Sequence, residues 1–159
     1  MRIKYNAPVV LTYTLICVAV LLISDFLRAD FKQLFSVGAS FGSFSDPIEY
    51  FRLFSHIAGH ADWAHLMGNF SFILLIGPIL EEKYGSAKLL VMILTTGLLT
   101  GILNVIMFDS GLLGASGIVF MMIVLSSISN VKDGAIPLTF ILVTALYVGT
   151  EVITSLDPT

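Results

Sequence analysis

Five long apolar runs, separated by short polar or turn-rich segments, form the pattern of this 159-residue chain. They extend over residues 7–23, 63–80, 88–108, 112–128 and 135–153. Each is close to the roughly 20 apolar residues that a helix needs to cross a bilayer. The pattern therefore predicts an all-α polytopic membrane helix bundle with about five transmembrane helices. Since no change in composition separates a second unit, residues 1–159 are predicted to form one membrane domain.

The connection between the first two runs, residues 30–62, has a different composition, rich in Ser, Gly and Phe. It is too polar to span the membrane and too aromatic for a free linker. Aromatic side chains suit the headgroup region, so this loop is predicted to be embedded in the interface as short amphipathic helices and turns. Gly97 and Gly101 in the third run have the spacing that lets two helices approach closely.

Composition excludes several classes of protein. With 57% apolar and 12% charged residues, the chain has too little charge for a water-soluble or disordered protein. Its net charge of −3 provides no basic surface for nucleic acid. Cys17 is the single cysteine, which excludes a disulfide framework. The lipid bilayer is thus the first predicted partner. A transporter or channel is disfavoured, because no run carries a charge in its middle.

The basic residues predict an orientation. With a cytoplasmic N-terminus, five of them lie on the inner side and three on the outer side, all three in one long loop that counts less in this rule. No small-x-small cleavage site closely follows the first run, which favours a retained helix over a signal peptide. We expect a multi-pass protein of a bacterial-type plasma membrane, with the turn at Asp109 outside. The inner residues are Arg2, Lys4, Lys83, Lys88 and Lys132, and the outer ones are Arg28, Lys32 and Arg52.

Two polar clusters lie where lipid would make them costly, and such residues are functional candidates by default. The first contains every histidine of the chain, His56, His60 and His65, followed by Asn69. His65 and Asn69 are four residues apart, hence on one face of the second helix. They either hold the bundle together by hydrogen bonds between helices or donate to a developing oxyanion.

The second cluster is Gly114-Ala115-Ser116-Gly117, near the start of the fourth run. The glycines let the backbone approach a substrate and take angles that other residues avoid. A serine at a helix start has free backbone N–H groups beside it, so Ser116 is a candidate nucleophile whose own amide binds the oxyanion. The alternative is that these small residues only serve helix packing.

A zinc site is a further alternative, because His56, His60, Asp62 and His65 are close in sequence. No His-Glu-x-x-His motif is present, however. Asp62 is also well placed to be the N-cap of the second helix.

Taken together, the clusters resemble the rhomboid intramembrane serine proteases. The resemblance covers essentially the whole chain, and it rests on the order of four segments relative to the apolar runs. These are Glu49-Tyr-Phe51-Arg52-Leu-Phe54-Ser-His56, then His60 with Trp63-x-His65-x-x-x-Asn69, then Glu81-Glu-Lys83-Tyr84-Gly85, and finally Gly114-Ala-Ser116-Gly117.

The resemblance implies an activity and a role for each matching residue. Ser116 would be the nucleophile, and His65 and Asn69 would form the oxyanion hole with the backbone amides of Ser116 and Ala115. His60 would support this geometry, while His56 and Arg52 would help to fix the embedded loop. The implied reaction is cleavage of a transmembrane protein substrate near the outer membrane boundary through an acyl-enzyme, without metal or cofactor.

The chain departs from the rhomboid pattern in its general base, which in that family is a histidine on a sixth spanning helix. All three histidines here precede Ser116. We expect the 159 residues to be C-terminally incomplete, with the base in a missing sixth helix. The alternatives are a non-proteolytic relative that binds transmembrane clients, or His65 acting as the base. His65 as base would abandon the oxyanion role, and losing such a donor costs about 10²–10³ in rate.

Overall fold

The computed structural model describes residues 4–27, 29–128 and 136–156. Across these residues the chain forms seven α-helices, with one 3₁₀ turn at His56–Ala58, a single isolated β-bridge and no strand. The predicted all-α class is confirmed. The helices are α1 (Pro8–Leu27), α2 (Ala29–Gln33), α3 (Pro47–Ser55), α4 (Trp63–Tyr84), α5 (Ser86–Met107), α6 (Ser116–Ile128) and α7 (Leu138–Leu156).

Three of the helices are long and apolar enough to cross a membrane: α1 with 20 residues, and α4 and α5 with 22 each. They correspond to the first three apolar runs. The last two runs form α6 and α7, which are shorter apolar helices in their described parts. The predicted polar turn at residues 130–133, the start of the fifth run at residue 135 and the basic residues Arg2, Arg28 and Lys132 lie outside the described residues.

The fourth run requires a correction, because its helix begins at Ser116 and not at Leu112. Gly114 has φ +125°, which no helical residue adopts. Leu112 instead forms the isolated bridge with Val37, with N–H to O distances of 2.9 Å in both directions. The four residues before Ser116 are therefore a loop held against the first connection.

Helix α4 lies at the centre of the packing and contacts α1, α5 and α6. Its inward side chains, among them Leu66, Phe70 and Ile73, are buried, whereas Leu75 on its outer side is 70% exposed. An apolar side chain exposed on a membrane helix faces lipid at no cost. This explains why apolar residues occur all around these helices and not in one stripe.

The connection at residues 30–62 folds into short helices and turns, as its composition predicts. Asp46 caps α3, its carboxylate accepting a hydrogen bond of 2.9 Å from the amide of Ile48. The close approach predicted from Gly97 and Gly101 is confirmed, and α5 makes it with this connection. A Cβ on Gly101 would lie 2.9 Å from the carbonyl oxygen of Leu53, and one on Gly97 would lie 3.0 Å from Cγ2 of Ile57.

Glu81, near the end of α4, is a charged residue buried in the bundle, with 4% of its surface exposed. Its carboxylate accepts hydrogen bonds from the amides of Val9 and Val10 at 2.9 and 3.0 Å, and from the hydroxyl of Ser86 at 2.6 Å. The first turn of a helix has N–H groups without intrahelical acceptors. The Glu81 carboxylate supplies acceptors for two such N–H groups of α1. It thereby joins the start of α1 to the turn between α4 and α5.

Candidate active site

The start of α4 positions two polar side chains of the first cluster. The Asp62 carboxylate accepts a hydrogen bond of 2.8 Å from the amide of His65, which makes Asp62 the N-cap of α4. This confirms the capping interpretation of Asp62. His65 then lies in the first turn, and Asn69 lies one turn further along the same face. Within the described residues, no group of three or more His, Cys, Asp or Glu side chains is arranged to hold a metal ion.

Ser116 is the first residue of α6 and follows a sharply turned loop. Ala115 before it is fully buried, and its carbonyl accepts the amide of Val119 at 2.9 Å. The N–H groups of the first turn of α6 have no acceptors within the helix. Ser116 itself is half-buried at this helix start.

The starts of α4 and α6 meet at a cavity of about 450 Å³ that both His65 and Ser116 line. Gly68, Leu112 and Thr150 are also in its wall. The loop backbone lies against the His65 ring, because a Cβ on Gly114 would be only 2.8 Å from Cε1 and Nε2 of His65. Only glycine allows this approach.

Asn69 does not line the cavity but lies buried beside it, with 1% of its surface exposed. Its Nδ2 donates to the carbonyl of His65 at 3.2 Å, and its Oδ1 accepts a hydrogen bond from the Tyr147 hydroxyl at 3.0 Å. Nδ2 also lies 3.9 Å from the position of a Cβ on Gly114. Its amide nitrogen is therefore close to the loop that precedes Ser116.

His60 packs behind His65, with 5.2 Å between the ring centroids in an edge-to-face arrangement. Its Nδ1 lies 3.4 Å from the carbonyl oxygen of Ala58. Burial, and secondarily the neighbouring His65, lower the pKa of His60 to about 4. The ring is therefore neutral near pH 7, and it supports His65 by packing without adding a charge.

His56 connects the loop before Ser116 to α5. Its Nε2 donates to the carbonyl of Gly97 at 3.0 Å, and its own carbonyl accepts the amide of Gly114 at 3.0 Å. Because the partner of Nε2 is a carbonyl oxygen, the hydrogen is on that nitrogen. Burial lowers the pKa of His56. A neutral, buried His56 thus holds Gly114 in place from behind.

Arg52 and Gly117 lie away from the cavity. Arg52 forms an ion pair of 2.8 Å with Glu49 on the same turn of α3, and its side chain is partly exposed. Gly117 faces α5, where a Cβ would lie 3.0 Å from Cγ2 of Thr100. The ion pair of Arg52 therefore lies within the first connection. Gly117 serves packing on α5, and neither residue lines the cavity that Ser116 and His65 share.

Tyr147 on α7 is a site residue that the motifs did not reveal. Its hydroxyl oxygen lies 3.0 Å from Oδ1 of Asn69 and 3.2 Å from the carbonyl oxygen of Ser116, and the two acceptors share its one hydrogen. The sequence did offer one signal for Tyr147, which is a tyrosine within a mostly apolar run. A buried tyrosine hydroxyl needs a hydrogen-bond partner. Which partner it finds depends on how α7 packs, and that is a tertiary property.

The fold and the site together define an integral membrane helix bundle in which a serine at a helix start and a histidine line the same cavity. The rhomboid domain model matches residues 47–156, from the start of α3 to the end of α7, and the chain belongs to the rhomboid family. It is 29% identical over 72 residues to the rhomboid protease GlpG of Haemophilus influenzae. That match covers 45% of this chain and 38% of the relative, so the chain spans well under half of that relative's length.

Proposed function

We propose that this protein is an intramembrane serine endopeptidase that cleaves transmembrane protein substrates through an acyl-enzyme on Ser116. One observation carries the proposal: Ser116, at the start of α6, shares a cavity with His65, and glycine backbone lies against that imidazole. The match to a relative named a rhomboid protease supports it.

In the proposed reaction, Oγ of Ser116 attacks the carbonyl carbon of the scissile peptide bond. The carbonyl oxygen becomes an oxyanion and accepts hydrogen bonds from His65, from Nδ2 of Asn69 and from the backbone amides of Ser116 and Ala115. Such preorganised donors in a site shielded from water are usually the largest contribution to catalysis. The general base that takes the Ser116 proton returns it to the nitrogen as the intermediate collapses, so that the C–N bond breaks and the amine leaves. Water then hydrolyses the ester on Ser116, releasing the acid and restoring the hydroxyl.

The proton of Ser116 needs a general base, because a serine hydroxyl is a weak nucleophile on its own. The resemblance to rhomboids assigns this role to a histidine on a later helix, so we place the base outside residues 1–159. The intact mass of the native protein tests this. We expect a mass above 17.3 kDa. The excess should be at least one spanning helix, on the order of 2 kDa for about 20 residues. A mass of 17.3 kDa would contradict it.

The proposed setting is a plasma membrane of bacterial type, with the N-terminus in the cytoplasm and the cavity near the outer surface. The starts of α4 and α6 then lie on the outer side, together with the turn at Asp109 and the first connection. A transmembrane substrate would be cut near its outer membrane boundary. Water, the second substrate, would enter from the same side.

Cleavage of single-span reporter proteins by the full-length protein in liposomes tests the proposal, together with labelling by a fluorophosphonate. We expect the wild type to cleave and to be labelled at Ser116, and Ser116→Ala to lose both. Ser71→Ala is the matched control, because Ser71 is an exposed helix serine whose hydroxyl donates to the carbonyl of Met67. Cleavage that survives in Ser116→Ala would exclude the serine mechanism. Client binding without labelling of the wild type would instead identify a non-proteolytic relative.

A further inference from the structure

The Tyr147 hydroxyl joins α7 to both elements of the candidate site. Its oxygen lies 3.0 Å from Oδ1 of Asn69 on α4 and 3.2 Å from the carbonyl oxygen of Ser116 on α6, and these two acceptors share its single hydrogen. The residue is 7% exposed. Its ring packs edge-to-face against Phe72 of α4, with 5.4 Å between the centroids. The ring is thus held by packing, and the hydroxyl is aimed at the site.

The Asn69 side chain can in principle take two orientations that exchange its oxygen and its nitrogen. In the observed orientation, Oδ1 accepts from Tyr147 and Nδ2 donates to the carbonyl of His65. The reversed orientation would put Oδ1 against the His65 carbonyl, so that two acceptors face each other. The His65 carbonyl therefore selects the observed orientation. In that orientation, Oδ1 is the acceptor that faces the Tyr147 hydroxyl, and this hydroxyl holds it.

This orientation determines what Asn69 can do for a substrate. An amide nitrogen carries two hydrogens, and one of them is used by the His65 carbonyl. The other remains for a substrate oxygen, and Nδ2 lies on the side of Gly114, 3.9 Å from the position of a Cβ there. With the amide reversed, an oxygen would face the developing negative charge and repel it.

We propose that Tyr147 is a positioning residue that holds the Asn69 amide with Nδ2 towards the reacting oxygen. This inference rests on the proposed function, in which Asn69 is an oxyanion donor. Through its 3.2 Å contact with the Ser116 carbonyl, the same hydroxyl also joins the first turn of α6 to α7. Tyr147 itself touches neither the substrate nor the reacting atoms.

The test is Tyr147→Phe in the full-length protein, which removes the hydroxyl and keeps the ring that packs on Phe72. Removing an oxyanion donor costs about 10²–10³ in rate, and loosening one should cost about tenfold in kcat. We expect KM to change less than about twofold, because the hydroxyl does not contact the substrate. Tyr50→Phe is the matched control, since its hydroxyl bonds to the carbonyl of Phe44 in the first connection. It should leave kcat unchanged.

A double-mutant cycle shows whether Tyr147 acts through Asn69. Asn69→Ala alone should lower kcat by the full cost of the donor. Tyr147→Phe should lower it no further in that background, because there is no amide left to orient. Independent, multiplicative effects of the two substitutions would overturn the inference, as would a Tyr147→Phe variant with wild-type kcat.

A spectroscopic measurement decides the positioning role even if the protein cleaves nothing. With ¹⁵N-labelled asparagine, the side-chain NH₂ signal of Asn69 should shift and exchange faster with water in Tyr147→Phe. The signal of Asn104, whose Nδ2 donates to the carbonyl of Ser110 at 2.9 Å, is the internal reference and should not move. An unchanged Asn69 signal would refute the positioning role. A shifted signal in an inactive wild type would refute only the proposed function.

Discussion

Position 114 requires glycine for two independent reasons. Its φ of +125° lies in a region that L side chains rarely adopt. Its Cα also faces the His65 ring, so that even a methyl group would come within 2.8 Å of Nε2. The loop can reach His65 only because this position has no side chain.

Gly114→Ala should therefore damage the site directly. Backbone strain of this kind costs about 1–3 kcal/mol, and the methyl group must also displace the imidazole. We expect fluorophosphonate labelling of Ser116 to slow by about 100-fold or more. Gly149→Ala on α7 is the control, because a Cβ there meets nothing within 4 Å and should leave the rate unchanged. Equal rates in the two variants would show that the approach of Gly114 to His65 has no role in the chemistry.

His60 predicts how stability depends on pH. Its pKa is about 4 in the folded protein, against 6.5 for a free histidine, because the ring is buried next to His65. Between these values the unfolded chain binds a proton that the folded one excludes. Stability is thus fully present above pH 6.5 and is lost as the pH falls towards 4, by up to about 1.4 kcal/mol per pH unit.

The thermal midpoint of the wild type in nonionic detergent should fall as the pH is lowered from 6.5 to 4. The midpoint of His60→Gln should fall less steeply over the same range. Glutamine has no proton to gain, so the variant lacks the contribution of His60. His56, whose pKa is also lowered by burial, contributes to the slope that remains. Identical slopes for the wild type and His60→Gln would contradict the burial argument.

At the scale of elements, the first connection is bound to the bundle by the glycines of α5. Because Gly97 and Gly101 have no side chains, Ile57 and the Leu53 backbone can pack directly on the α5 backbone. This brings His56 within reach of the Gly97 carbonyl, and His56 in turn holds Gly114. The spacing of two glycines in α5 thus affects the loop before Ser116 through the intervening 3₁₀ turn.

Glu81 makes a second prediction at this scale. Glu81→Gln replaces one carboxylate oxygen with a nitrogen that faces N–H donors of α1. Hydrogen bonds to a charged group contribute about 1.5–3 kcal/mol, so we expect a loss of about 2 kcal/mol in the free energy of unfolding in micelles. Glu82→Gln is the adjacent exposed control and should change it by less than about 0.5 kcal/mol. If both variants are equally stable, the cap on α1 contributes nothing.

At the scale of the whole molecule, the proposed orientation can be tested by labelling. Cys17 is the single cysteine and is fully buried, so Cys17→Ala provides a cysteine-free background. In intact cells, a membrane-impermeant maleimide should label Asp109→Cys at the exposed turn after α5. It should label Glu82→Cys, in the last turn of α4 and next to the start of α5, only after permeabilisation. The reverse pattern would contradict a cytoplasmic N-terminus.

The apolar runs by themselves predicted the helical class and the approximate extent of α1, α4 and α5. This is possible because a bilayer requires a long apolar helix wherever the chain crosses it. The start of α6 was predicted four residues too early, since Leu112 and Leu113 are as apolar as the helix itself. The helix cannot include Gly114, because its φ is positive. The pattern of apolar residues contains no information about φ, so it could not predict this.

For the candidate site, the sequence determined which polar residues stand out from the lipid-compatible background: Ser116, His65 and Asn69, with His56 and His60 near them. Tertiary structure alone decided which of them meet. Ser116 and His65 are 51 positions apart, by their numbers in the chain, and they share a cavity only because α4 and α6 begin side by side. Tyr147 reaches Asn69 and Ser116 through the packing of α7. Such contacts join distant parts of the chain, so no local pattern of residues encodes them.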